Sequence, residues 1–120
     1  ALPISMGYSD YKRLVSILKK RCPAAFPVSV RRVKISGLDG DCALGHKRFY
    51  IRINKDISES SAIETLLHEW AHARAWNHLH DSMSAHEFEE KTHDASWGVA
   101  YSEVYRVYEQ YFFCNKFGCK

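Results

Sequence analysis

Five consecutive residues, His68-Glu69-Trp70-Ala71-His72, carry the clearest chemistry in this chain. Two histidines four positions apart on an α-helix lie about 40° apart around the axis and one turn apart along it, so both imidazoles can turn towards one ion. Paired imidazoles suit zinc. Glu69, next to the first histidine, points to one side of the pair. From there its carboxylate can reach a water on the metal without becoming a ligand. The pattern predicts hydrolysis, with the metal acidifying water and Glu69 carrying its proton to the departing group.

A zinc site that does chemistry needs a third protein ligand and an open position for water. Downstream stand His78, His80, His86 and His93, with Glu87, Glu89, Glu90 and Glu103 as carboxylate alternatives. His78 and His80 follow the motif too closely unless the helix breaks near Asn77. His93 is the preferred third ligand, because a chain reversal between residues 78 and 92 would bring it back across the first helix. His86 is next in order. Trp97 and Tyr101, four and eight residues after His93, share its helical face and would wall the site.

The elements that must hold this constellation are legible from periodicity. Tyr11, Leu14, Val15 and Leu18 share one face of a first helix, with Ser9 as its cap and Lys19, Lys20 and Arg21 at its end. A strand spans Val28 to Ile35, where the apolar alternation slips by one at Arg31-Arg32 and predicts a bulge or twist. A short strand from Cys42 to Leu44 pairs through Gly45-His46-Lys47 with a strand from Arg48 to Asn54. In the latter, Phe49, Ile51 and Ile53 face one way and Arg48, Tyr50 and Arg52 the other. The motif helix opens with Ser61 and Glu64 in capping-box spacing and runs to about Asn77. A last helix, capped by Asp94, carries a stripe of Trp97, Tyr101, Tyr105, Tyr108 and Phe112. Gly98 within it predicts a close helix–helix approach opposite Ala71 or Ala75. The fold class is α+β, in a single domain over residues 1–120: helix, small three-stranded sheet, motif helix, last helix.

Composition excludes other classes. With 46% hydrophobic and 26% charged residues the chain has the makings of one packed core and no low-complexity segment. Its apolar runs are short and broken by charge, which argues against a membrane span. The opening Ala1-Leu2-Pro3-Ile4-Ser5 does not read as a secretory signal. Four scattered cysteines do not form a disulfide framework, so a reducing, cytoplasmic setting is expected. Cys22 and Cys42 read as small core residues. Cys114 and Cys119 form half a structural zinc pair or part of an exposed tail.

The net charge of +3 permits nucleic-acid binding without demanding it. Arg31, Arg32, Lys34, Lys47, Arg48 and Arg52 fall on predicted strands and turns. Arg31, Arg32, Arg48 and Arg52 are the candidate DNA contacts, although a solvated sheet face explains the cluster more simply. Tyr101 and Tyr105 are positioned to stabilise an oxyanion, but tyrosines at helical spacing more often serve packing. An open strand edge, from 28–35 or 42–54, would pair with an extended protein substrate.

On His68-Glu69-Trp70-Ala71-His72-Ala73 and the later His93-Asp94-Ala95-Ser96-Trp97, the chain resembles the SprT-like (Spartan-like) zinc metalloprotease domains. That family carries a HExxH helix and a third histidine opening a second helix, usually as His-Gly-Pro where this chain has His93-Asp94-Ala95. Trp97-Gly98-Val99-Ala100-Tyr101 is similar to versions in bacteria and their viruses. The resemblance implies a small gluzincin-like core, zinc on His68, His72 and His93, Glu69 as catalytic carboxylate, and endopeptidase activity on protein substrates, DNA-associated proteins among them. The competing expectation is a zinc-stabilised interaction or DNA-binding module that cleaves nothing.

Overall fold

A computed structural model describes residues 8–76 and 95–113, with the helices α1 (Tyr8–Arg21), α2 (Glu59–Ala75) and α3 (Ala95–Tyr108) and the strands β1 (Val28–Val33), β2 (Gly40–Gly45) and β3 (Arg48–Asn54). A π-helical turn, Glu109–Phe113, continues α3. The described residues form an α+β fold of three helices and one three-stranded sheet. Leu14 and Leu18 of α1, Phe49, Ile51 and Ile53 of β3, and Leu66, Leu67 and Trp70 of α2 are buried in one core. Each such apolar side chain contributes about 1.5–3 kcal/mol on leaving water. The core places α2 at the centre, against β2 and β3 on one side and α3 on another.

The sheet order is β1-β3-β2, with β1 parallel and β2 antiparallel to β3. β2 and β3 meet in a two-residue turn, His46-Lys47, both residues having positive φ (50° and 60°). That is the backbone a tight, right-twisted hairpin requires. The bulge expected at Arg31-Arg32 is absent. β1 stays in unbroken register with β3, from Val28 opposite Phe49 to Val33 opposite Asn54. The apolar pattern slips because Arg32 takes an inward position on the register. Its guanidinium reaches the carbonyls of Asn54, Lys55 and Ile57 at 3.3–3.4 Å, lies 3.9 Å from Glu59 and sits over the Tyr11 ring.

Three further expectations are corrected. Ser9 lies within α1 rather than capping it. The cap of α2 is Ser58, whose extended backbone leaves its Oγ free to accept from the Ser61 amide at 3.1 Å; Glu64 lies a turn further in. α2 ends at Ala75 because Trp76 turns out of the helix, where its ring stacks 5.2 Å from Phe26 and 6.0 Å from Phe49. Gly98 is exposed, with nothing within 4 Å of where a Cβ would stand, so it mediates no helix–helix contact. The glycine that does permit close approach is Gly40. A Cβ there would lie 2.6 Å from the Arg52 carbonyl oxygen and 2.7 Å from the Thr65 methyl, so β2 reaches α2 only without one. Cys22 and Cys42 are buried as expected. No described helix is long and apolar enough to cross a membrane.

Candidate metal and cleft site

Helix α2 is apolar on most of its circumference, with Ala62, Leu66, Leu67, Trp70, Ala71 and Ala73 all buried. The indole N–H of Trp70 donates to the Cys22 carbonyl at 2.8 Å, and Arg74 donates to the Pro23 carbonyl and to Glu103. These bonds fix the rotation of α2 against α1 and α3. The rotation brings His68 and Glu69 to the wall of a cleft of about 980 Å³ between α2, α3 and the loop before β2. His72 lies behind them at 1% exposure, and Glu69 itself is 3% exposed.

The two imidazole rings are 5.0 Å apart, at 70° to one another. Trp97 of α3 stands 5.1 Å from the His68 ring and 5.7 Å from the His72 ring. From Trp97 an aromatic ladder runs along α3. Tyr101 stacks on Trp97 at 5.1 Å, Tyr105 follows at 6.1 Å, and Tyr108 and Phe112 continue at 5.5 and 5.6 Å. Tyr101, Tyr105 and Tyr108 form the cleft's second wall. Tyr101 also packs against the core, whereas Tyr105 is 41% exposed, so packing alone does not account for it. Burial first, then Tyr105 and then Glu64 push the Tyr101 phenol above its ordinary range. Tyr108 is shifted the same way, by burial, Tyr105, Glu109 and Glu64.

The third wall is held by a residue that the motif does not reveal. Asn54, at the end of β3, donates from Nδ2 to the Ile35 and Leu38 carbonyls, both at 3.0 Å, and accepts from the Asp56 amide at 2.9 Å. It pins the 36–39 loop over the cleft mouth. A polar residue ending an apolar strand, just before turn residues, was the available signal. Glu64, exposed on α2 and lining the cleft, was hidden by its apparent role as a capping residue.

His93 and His86 lie outside the described residues, as do His78, His80, Glu87, Glu89, Glu90, Asp94, Cys114 and Cys119. Glu103 is described, and it accepts from Arg74 Nε at 2.8 Å beside a different cavity. Among the described residues no three His, Cys, Asp or Glu side chains gather into a complete ligand set. The donors present nevertheless fit zinc. They are imidazoles one helical turn apart, in a water-poor position, with ring centres close enough for each to turn a nitrogen to a shared ion.

The candidate DNA contacts are divided by the structure. Arg31 is exposed on the outer sheet face opposite Arg52. Arg52 holds Asp41 through both Nε and a terminal nitrogen, which raises its own pKa further. Arg48 donates to Ser29 Oγ at 3.0 Å, and Lys34 lies 3.5 Å from Asp56. Arg32 is turned inward. No family model, curated protein or solved structure matches the chain.

Proposed function

We propose that this protein is a zinc-dependent metalloendopeptidase of the SprT-like, gluzincin-like kind. The observation that supports it best is the burial of Glu69 and His72 in a central helix, next to His68 on the cleft wall. Ionisable groups in a packed helix are costly, and an apolar residue would serve packing better, so a chemical role explains them where packing does not.

In this reading His68, His72 and a third donor, with His93 first and His86 second, hold the ion. Zinc when bound supplies Lewis acidity towards water and the scissile carbonyl. Glu69 takes a proton from the attacking water and returns it to the departing amine. Trp97 limits water around the imidazoles. Tyr101, whose phenol stays protonated well above neutral pH, is available to donate to the carbonyl oxygen as charge develops there. The substrate strand adds to the outer edge of β2, the edge strand whose first residue, Gly40, lines the cleft.

Zinc content and cleavage of a labelled, unfolded protein test this together. Wild type should carry about one zinc per chain, and His72→Ala should lose it. Glu69→Gln should keep the zinc and lose cleavage by about 10²-fold or more. His93→Ala and His86→Ala, measured for zinc alone, assign the third donor. A wild type that takes up no zinc overturns the proposal; one that binds zinc but cleaves no protein leaves a zinc-stabilised module.

A further inference from the structure

The chain carries a net charge of +3, yet no lysine or arginine lines the cleft among the described residues. Its ionisable lining consists of Asp39 on the loop, Glu64 and Glu69 on α2, His68 and the tyrosines. The cations are elsewhere. Lys12, Arg13, Lys19, Lys20 and Arg21 lie on α1, and Arg31, Arg48 and Arg52 on the outer face of the sheet. The cleft is therefore an acidic trough in a basic molecule.

The trough has a second property, an aromatic floor at the right height for a cation. Tyr105 is 41% exposed and stacks between Tyr101 and Tyr108, which presents ring faces towards the acidic wall. The electrostatic effect of Glu64 on both Tyr101 and Tyr108 places its charge within reach of the opposite wall. A carboxylate facing an aromatic surface is the arrangement that accepts a lysine ammonium or arginine guanidinium, by ion pairing on one side and cation–π attraction on the other. Phosphate chains, by contrast, would meet like charge.

We propose that the cleft selects extended peptide segments carrying lysine or arginine, seated with the cationic side chain between Glu64 and Tyr105 and steered by Asp39. The inference rests on the reading of this cleft as the substrate groove, and it assigns the substrate class. It also gives the net charge a role, because a basic molecule repels basic peptides everywhere except here.

Binding, read without turnover, tests it. Fluorescence anisotropy would follow a short labelled peptide of alternating lysine and serine, and its Lys→Gln and Lys→Glu counterparts, on the full chain with and without zinc at low salt. The lysine peptide should bind about ten-fold tighter than the glutamine one, two exposed carboxylates and one ring each supplying a few-fold. Asp39→Asn with Glu64→Gln should bring the two peptides within about three-fold of each other, and Tyr105→Ala should weaken the lysine peptide alone by about three-fold. Equal binding of the three peptides, or a preference for the glutamate peptide, overturns the inference. A lysine peptide that binds as expected but is never cut leaves the inference standing and removes the peptidase. Cleavage without basic preference does the reverse.

Discussion

The indole of Trp97, on α3, lies 5.1 Å from the imidazole of His68, on α2, at an angle of 57°. That contact joins the two helices at the point where a metal would be held, and it shields one side of the histidine from water. Apolar surroundings sharpen ligand orientation and lower the local dielectric constant. Trp97→Ala is expected to weaken zinc binding by about ten-fold, whereas Trp97→Phe should keep most of the affinity. Competition with a chromophoric chelator measures both. Equal affinities in all three proteins would mean that the indole only packs α3 onto α2.

Two glycines should respond oppositely to the same substitution. Gly98 sits in the exposed interior of α3 with open space around its missing Cβ. Gly98→Ala should therefore stabilise the fold by about 0.8–1 kcal/mol through helix propensity. At Gly40 the added methyl would strike the Arg52 carbonyl and Thr65. Gly40→Ala should destabilise by about 1–3 kcal/mol and push β2 away from the cleft wall. Urea denaturation of the two variants reads the sign directly.

Arg31 and Arg32 are neighbours with different work. Arg32 reaches three backbone carbonyls and stands near Glu59, tying the end of β3 to the start of α2. Arg32→Ala leaves those acceptors with fewer donors and should lower stability by about 1–3 kcal/mol. Arg31 is exposed, and Arg31→Ala should change stability by no more than about 0.5 kcal/mol. If the outer sheet face binds DNA, only Arg31→Ala will lower the affinity and its salt dependence without lowering the melting temperature. Loss of DNA affinity in Arg32→Ala, with stability intact, would place Arg32 on the binding face after all.

The element order and the motif helix were legible because their signals are local. The spacing of Tyr11, Leu14 and Leu18 and the alternation in Phe49, Ile51 and Ile53 each reflect one face of one element. What stayed hidden was set by distant partners. Arg32 broke the strand pattern because its partners, Asn54 to Glu59, lie more than twenty residues on. The parallel pairing of β1 with β3 likewise has no local signature. Ser58 was passed over for Ser61, since a serine three residues before a glutamate resembles a cap whether or not its backbone is extended. At the site, helical periodicity alone placed His68, Glu69 and His72 together. The acidity of the cleft depends on a loop and two helices meeting in space, and no window of sequence contains it.

Cys22 gives the fold an alkaline limit. It lies just beyond α1, 1% exposed, with its carbonyl held by the Trp70 indole. Burial pushes its thiol above the ordinary 9.0; Arg74 on α2 offsets part of this, and Glu103 on α3 adds to it. The unfolded chain therefore releases the thiol proton at a lower pH than the folded one. Below the ordinary thiol value both states hold the proton and stability does not depend on it. As pH rises through that value the unfolded state alone ionises, and stability falls until the folded thiol ionises too. Tyr101 and Tyr108, raised mainly by burial, extend the decline above about pH 10 by the same linkage. Urea midpoints should be flat near neutral pH and fall from about pH 8.5 upwards. In Cys22→Ala the starting midpoint should be lower, but the decline between about pH 8.5 and 10 should be shallower, with the tyrosine part above it retained. Equal slopes in the two proteins over that interval would show that the Cys22 thiol is not the group being titrated.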